Sequence, residues 1–139
     1  MSLPLENKYR LRDGKAVLGY LRRIDGRSQF YSQDGFWWSG RPIEYKDIDE
    51  WTGFYDKNRK PIYEWDIVYF KIDPDAEDCT SVVLWETNKK RFVIRKVDEE
   101  VYFPFVLNGI ELFNSRQIKV FSYLFLNPEL KAHLGLEDE

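Results

Sequence analysis

Short runs of β-branched and aromatic residues recur along this chain, and two-residue turn signals separate several of them. Asp13-Gly14, Asp34-Gly35 and Asn108-Gly109 are such signals, because Asx-Gly pairs tolerate the positive φ angles of tight hairpin turns. Aromatic residues make up 17% of the chain. Large rings favour the pleated, half-buried surface of a sheet. The sequence therefore predicts a mainly β protein.

The apolar runs predict strands over residues 9–12, 16–22, 29–32, 67–72, 80–86, 91–97 and 118–124. Residues 101–107 are also apolar, but Pro104 confines them to an edge or bulged strand. Residues 43–51 fit neither period cleanly and predict irregular structure or a short strand. A short helix is predicted from an Asn127 N-cap, with Pro128 in its first position, to Gly135.

Composition limits the class of protein. The 139 residues fit one domain, and a net charge of -3 lacks the basic excess that is typical of nucleic-acid binders. The single cysteine, Cys79, excludes an internal disulfide and a cysteine-based zinc site. No apolar run approaches the roughly 20 residues of a membrane span, and the N-terminus lacks a signal-peptide pattern. We therefore expect a cytoplasmic protein.

Three sequence blocks carry a resemblance to a known family. Residues 52–68 read TGFYDKNRKPIYEWDIV, residues 82–86 and 92–94 read VVLWE and FVI, and residues 118–124 and 127–130 read IKVFSYL and NPEL. In this order they are similar to the YTGLxDKNGKxIYEGDIV, VVEW…FxL and IEVIGNIYxNPEL blocks of the YopX family of bacteriophage and prophage proteins. The resemblance covers roughly residues 51–130.

The departures from the family pattern fall on glycines. Arg59, Trp65 and Ser122 stand where the family usually has Gly, and we expect Asn58 to take over the left-handed position at the first of these turns. The resemblance implies a phage or prophage origin, an intracellular setting in a bacterial host and a small β-barrel-like fold. It implies no established activity.

Together these features predict a single YopX-like domain over residues 1–139. Residues 1–50 form a variable β-rich lead-in, residues 51–130 the family-like core, and residues 131–139 the helix end and an acidic tail. The predicted fold is mainly β: a small, partly open SH3-like barrel with an N-terminal β-hairpin extension and a short C-terminal helix.

No catalytic or metal site is predicted. The acidic residues 73–78 lack the sixth-position Gly of a calcium loop, and Leu84 stands where its bidentate Glu would be. His133 is the only histidine, and no base adjoins Cys79. The glycines are scattered singly, so no phosphate-binding loop is present. We therefore predict neither enzyme activity nor a cofactor.

Binding is the remaining class of function, and we expect a phage or prophage accessory protein that binds protein or itself. The predicted partner surface is Trp37, Trp38, Trp65, Arg59 and Lys60, since exposed aromatics beside cations are typical of interaction hot spots. The alternative is a small-barrel nucleic-acid binder, which requires a shared face of Arg22, Arg23, Lys57, Lys60, Lys89 and Lys90. An enzyme is a distant third, and no membrane partner is expected.

Overall fold

The computed structural model describes residues 6–33, 41–73 and 75–136. The chain divides into two compact units, Met1–Gly53 and Phe54–Glu139. The mainly β class predicted from the sequence is confirmed, with antiparallel sheets and one short C-terminal helix. No helix in the described ranges is long and apolar enough to cross a membrane.

Unit 1 is an antiparallel sheet in the strand order β3-β2-β1-β4. The strands are β1 (Glu6–Asp13), β2 (Ala16–Ile24), β3 (Arg27–Tyr31) and β4 (Asp47–Tyr55), the last of which continues into unit 2. The predicted hairpin around Asp13-Gly14 is confirmed, with Gly14 at φ 60°. A second tight turn, Asp25-Gly26, joins β2 to β3 with both residues at positive φ. The turn predicted at Asp34-Gly35 lies outside the described residues.

A buried ion cluster joins β1 to β4. Arg10 lies directly opposite Asp49 in the ladder, and their side chains are 1% and 0% exposed. Arg10 Nε donates to Asp49 Oδ2 at 2.7 Å, and Arg12 donates to both carboxylate oxygens at 2.7 and 2.8 Å. One carboxylate therefore holds two guanidinium groups, which specifies the β1–β4 register because any slip would leave buried charges apart.

Unit 2 is built on a second antiparallel sheet in the order β12-β6-β7-β8-β9. Besides the end of β4, unit 2 contains the following elements, of which β5, β10 and β11 are not part of this sheet. They are β5 (Pro61–Tyr63), β6 (Asp66–Phe70), β7 (Cys79–Glu86), β8 (Arg91–Lys96), β9 (Tyr102–Pro104), β10 (Val106–Leu107), β11 (Ile110–Glu111), β12 (Ile118–Tyr123) and α1 (Pro128–His133), with 3₁₀ turns at Ser115–Gln117 and Leu124–Leu126.

Each face of this sheet covers its own apolar core. One core contains Ile62, Val83, Ile94, Phe105 and Phe113, among others. The second core contains Ile67, Val82, Leu84, Val93, Leu124 and Leu134, and residues of the C-terminal segment complete it. Successive residues of β7 divide between the two cores because strand side chains alternate between faces.

The sheets are open and do not close into a barrel. In unit 2 the edge strands are β12 and β9, and no ladder joins them within the described residues. The edge at β12 is partly occupied by the β4–β5 turn, since Lys57 N–H donates to Ile118 O at 2.9 Å. At the other edge Pro104 has no N–H to extend the ladder, and the chain leaves β9 for a separate two-stranded hairpin.

Two local expectations were wrong. The left-handed residue of the β4–β5 turn is Arg59 at φ 63°, not Asn58. The helix does begin after Asn127, but the Asn127 side chain makes no capping bond and instead donates to Tyr123 O at 2.7 Å and Ser122 Oγ at 3.1 Å. The asparagine therefore ties the helix to β12 rather than satisfying the first helical N–H groups.

Candidate functional site

Residues 56–60, DKNRK, form a tight turn that is organised by one buried carboxylate. Asp56 is 1% exposed, and its Oδ1 accepts hydrogen bonds from the N–H groups of Asn58 and Lys60 at 2.8 and 2.9 Å. Its Oδ2 accepts from Val120 N–H at 3.0 Å, across to β12. Both carboxylate oxygens are engaged by backbone N–H groups, so Asp56 is a structural residue.

The cations of this turn, in contrast, face solvent. Lys57, Arg59 and Lys60 are exposed and form no ion pair with any described residue. Two of the predicted partner-surface residues, Arg59 and Lys60, therefore do lie at an accessible place. Residues 56–60 include no large apolar side chain, so this turn presents positive charge to a partner but no apolar surface for it to bury.

The backbone of Trp65 connects β7 to the segment that follows β12. Its φ is 75°, its N–H donates to Val83 O at 2.9 Å, and its carbonyl accepts from Leu124 N–H at 2.8 Å. The indole is half-buried against the second core, with the Lys131 ammonium 5.9 Å from the ring centroid. Much of this indole, predicted to belong to a partner surface, is thus occupied within unit 2. Trp37 and Trp38, the other two aromatics of that prediction, lie outside the described residues.

The basic residues of the nucleic-acid alternative are distributed over several surfaces. Arg22 and Arg23 are neighbours on β2 in unit 1 and point to opposite faces of the sheet. A side-chain hydrogen bond from Arg22 to Glu6 at 2.9 Å, and a second interaction with Tyr31, raise the pKa of Arg22. Arg23 lies over the Tyr9 ring at 5.6 Å.

Within unit 2 the two basic turns occupy opposite ends of the sheet. Lys57 bonds to Ile118, which pairs with Phe70, and Phe70 pairs with Cys79 at the start of β7. Lys89 and Lys90 come after the far end of β7. Glu86 lies seven residue steps along β7 from Cys79, or about 23 Å at about 3.3 Å per step. The register therefore does not bring Lys57 and Lys60 together with Lys89 and Lys90.

Ile110, the most exposed large hydrophobic side chain among the described residues, is absent from the predicted partner surface. We call residues 105–112 the hairpin arm; it consists of β10, the Asn108-Gly109 turn and β11. Leu107 and Ile110 are cross-strand partners, and Leu112 N–H donates to Phe105 O at 3.1 Å. Because side chains alternate along a strand, these four residues share one face of the arm. Phe105 is buried in the core, whereas Leu107, Ile110 and Leu112 are 43%, 66% and 45% exposed.

The signal for the hairpin arm is present in its sequence. VLNGIEL has a strong turn pair at its centre, and Glu111 is the only polar residue among its other five positions, so neither face of the ribbon is fully polar. The apolar pattern predicts one edge strand over residues 101–107 and assigns no strand to residues 110–112. The chain in fact changes partners at Phe105, whose N–H donates to Phe92 O at 3.4 Å while its carbonyl accepts from Leu112.

The turn between β7 and β8, residues 87–90, leaves the sheet at the same end as the hairpin arm. We call it the lysine turn. Arg91 begins β8, and the next residue, Phe92, is the one that meets Phe105 at the base of the arm. Trp85, 39% exposed, pairs with Phe92 across the strands and contacts its ring edge-on at 4.8 Å. Apolar, aromatic and basic side chains thus share this end of the sheet.

The residue types most often used as metal ligands do not cluster at this surface. Among the described residues no three His, Cys, Asp or Glu side chains are grouped to hold a metal ion. Cys79 is half-buried with its Sγ 3.8 Å from Glu77 O, and His133 is exposed on α1. Burial raises the pKa of the Tyr102 hydroxyl, although Arg95 opposes the shift, and this tyrosine lies on edge strand β9.

No protein-family model matches the chain, and no curated protein matches it.

Proposed function

We propose that this chain works by binding another protein, and that the hairpin arm is its binding element. The observation that carries the proposal is the exposure of Leu107, Ile110 and Leu112 on one face of a two-stranded ribbon. An isolated two-stranded hairpin is marginally stable in water. A partner that covers its apolar face would stabilise it, because burial of apolar surface lowers the free energy. Contiguous exposed apolar side chains are typical of interaction sites.

Free backbone groups on the hairpin arm support a protein partner. The tight turn makes Leu107 and Ile110 the hydrogen-bonded pair, so the N–H and C=O groups of Val106 and Glu111 point away from the ribbon. Neither residue bonds to another described residue through these groups. An extended segment of a partner would satisfy those on one edge of the ribbon by adding a strand beside either Val106 or Glu111.

The proposal includes the resemblance to the YopX family, and with it a phage or prophage accessory role in the cytoplasm of a bacterial host. Backbone conformation supports this resemblance. Two of the three positions where the family usually has Gly, Arg59 and Trp65, adopt φ values of 63° and 75°. Glycine is favoured there because it has no Cβ to strain. The third, Ser122, adjoins a register shift in β12.

Nucleic-acid binding remains the second candidate, but the register of unit 2 does not bring together the lysines that were predicted to form its surface. Lys57 and Lys60 lie at the opposite end of the sheet from Lys89 and Lys90, whereas a phosphate backbone requires a continuous track of cations. Catalysis has no observation in its favour: among the described residues no three His, Cys, Asp or Glu side chains are grouped to hold a metal ion.

Site-specific photo-crosslinking in bacterial cells tests the proposed function. A crosslinking amino acid at Ile110 should capture a discrete protein, or a second copy of the chain, and one at Lys57 should not. Replacement of Leu107 and Leu112 by Lys should abolish that product without unfolding the protein, since both side chains are exposed. Equal crosslinking at Ile110 and Lys57, or a product that survives the double substitution, would overturn the proposal.

A further inference from the structure

The lysine turn carries positive charge that unit 2 does not neutralise. Lys89 and Lys90 are exposed and form no ion pair with any residue in the described ranges, and Lys90 holds a left-handed φ of 51°. The nearest carboxylate in the hairpin, Glu86, is engaged by Arg91 at 2.7 Å. Two ammonium groups are therefore available to an external ligand.

These ammonium groups lie at the end of the sheet from which the hairpin arm leaves. Phe92 connects the two, because it comes directly after Arg91 in β8 and its carbonyl accepts from Phe105 at the base of the arm. The exposed indole of Trp85 lies beside Phe92. A ligand long enough to cover the arm would meet apolar side chains and then positive charge.

We infer that the partner presents an extended acidic segment, in which carboxylates accompany apolar side chains. This inference rests on the proposed function and specifies its partner. The apolar side chains would cover Leu107, Ile110 and Leu112, and the carboxylates would pair with Lys89 and Lys90. Apolar burial supplies affinity in such an interface, and complementary charge supplies selectivity and a faster encounter.

Other anionic ligands fit the surface less well. A nucleic acid would pair with the two lysines but leave the aliphatic face of the arm uncovered. An anionic bilayer would cover that face, but hydrocarbon cannot satisfy the outward N–H and C=O groups of Val106 and Glu111. Only a polypeptide strand supplies apolar contacts, carboxylates and backbone hydrogen bonds together.

Fluorescence anisotropy with synthetic peptides tests the inference on the full chain. The probe is a labelled peptide of alternating Val and Glu, and the control peptide has Lys in place of Glu. We expect the Val/Glu peptide to bind with an affinity that falls as salt is added, and the Val/Lys peptide not to bind. Failure of the Val/Glu peptide to bind, or equal binding of the Val/Lys peptide, would overturn the inference.

Two protein variants separate the inference from the proposed function. Lys89→Glu with Lys90→Glu should weaken Val/Glu peptide binding by about tenfold or more, and the matched variant Lys57→Glu with Lys60→Glu should not. Ile110→Lys should abolish binding. If the lysine-turn variant binds normally while Ile110→Lys does not, the acidic partner is wrong and the hairpin arm stands. If Ile110→Lys also binds the Val/Glu peptide normally, both the acidic partner and the proposed role of the hairpin arm are wrong.

Anionic lipid is tested in parallel by sedimentation with phosphatidylserine vesicles. We expect no co-sedimentation of the wild-type chain. Co-sedimentation that Ile110→Lys abolishes, together with no peptide binding, would replace the protein partner by a membrane surface.

Discussion

The carboxylate of Asp56 accepts a hydrogen bond from the backbone N–H of Val120 at 3.0 Å, across 64 positions of the chain. The same carboxylate accepts two more bonds within its own turn. One buried side chain thus closes the β4–β5 turn and holds edge strand β12 against it. The DKNRK segment, residues 56–60, is therefore first of all a structural feature of unit 2.

Loss of this carboxylate should destabilise the chain strongly. Asp56→Ala leaves three N–H groups without their acceptor, so we expect a loss of roughly 3 kcal/mol in the free energy of unfolding. Asp56→Asn should cost less, since its remaining oxygen can still serve the turn but its NH₂ faces Val120 N–H. Urea unfolding measures both, with Lys57→Ala as the exposed control. Equal stability of Asp56→Ala and Lys57→Ala would contradict this role.

Arg59→Gly should stabilise the protein by about 0.5–1 kcal/mol, because it removes a Cβ from a left-handed position. The greater freedom of glycine in the unfolded chain limits the gain. Arg59→Ala keeps the Cβ and the strain while it removes the exposed side chain, so it should leave stability nearly unchanged. Thermal and urea unfolding of wild type, Arg59→Gly and Arg59→Ala measure these differences in stability. An Arg59→Gly variant less stable than wild type would show that the turn carries no such strain.

At position 65 a glycine variant should be more stable than an alanine variant, which reverses the usual order in a strand. Trp65→Ala and Trp65→Gly lose the same indole packing against the second core, but only Gly removes the strain at φ 75°. We expect both variants to be less stable than wild type and Gly to be more stable than Ala by about 1 kcal/mol. In an ordinary strand position Ala would be the more stable of the two. That ordinary order, found in urea unfolding, would refute the interpretation.

Asp49→Ala should be among the most destabilising substitutions in unit 1. It leaves the buried guanidinium of Arg10 and the nearly buried one of Arg12 without their shared carboxylate, and breaking such a cluster typically costs about 3–5 kcal/mol. Glu50→Ala, the exposed neighbour on β4, is the matched control and should cost little. Circular dichroism during urea unfolding reports both, and a mild Asp49→Ala phenotype would mean that the arginines find other carboxylates.

Tyr102 should contribute an alkaline loss of stability. The side chain is 38% exposed, and its partial burial raises its pKa in the folded chain, so folding modestly favours the neutral phenol. The stability that this provides is complete below the ordinary pKa of about 10 and is lost as the pH rises through the higher folded-state value. Wild type should therefore lose stability more steeply than Tyr102→Phe above about pH 10. If the stability of wild type and of Tyr102→Phe fell equally with rising pH, the raised pKa of Tyr102 would be contradicted.

Local patterns predicted most of the β elements, because strands and tight turns depend on neighbouring residues. The β7–β8 hairpin, the Asn108-Gly109 turn and the start of α1 at Pro128 were all predicted from periodicity and turn chemistry. The short strand β5 was missed, since three residues are too few to show a period. Placing the left-handed residue at Asn58 failed because propensity was outweighed by the tertiary bonds of Asp56 and Lys57.

The sequence by itself determined that this chain is mainly β, that it ends in a short helix, and that it has one cysteine and one histidine for chemistry. Only the tertiary structure decided which residues meet. Strand order and register place Lys57 and Lys89 at opposite ends of one sheet, and bring the lysine turn to the base of the hairpin arm. These are long-range pairings, and no local periodicity encodes them, because a strand's pattern specifies its faces but not its neighbours.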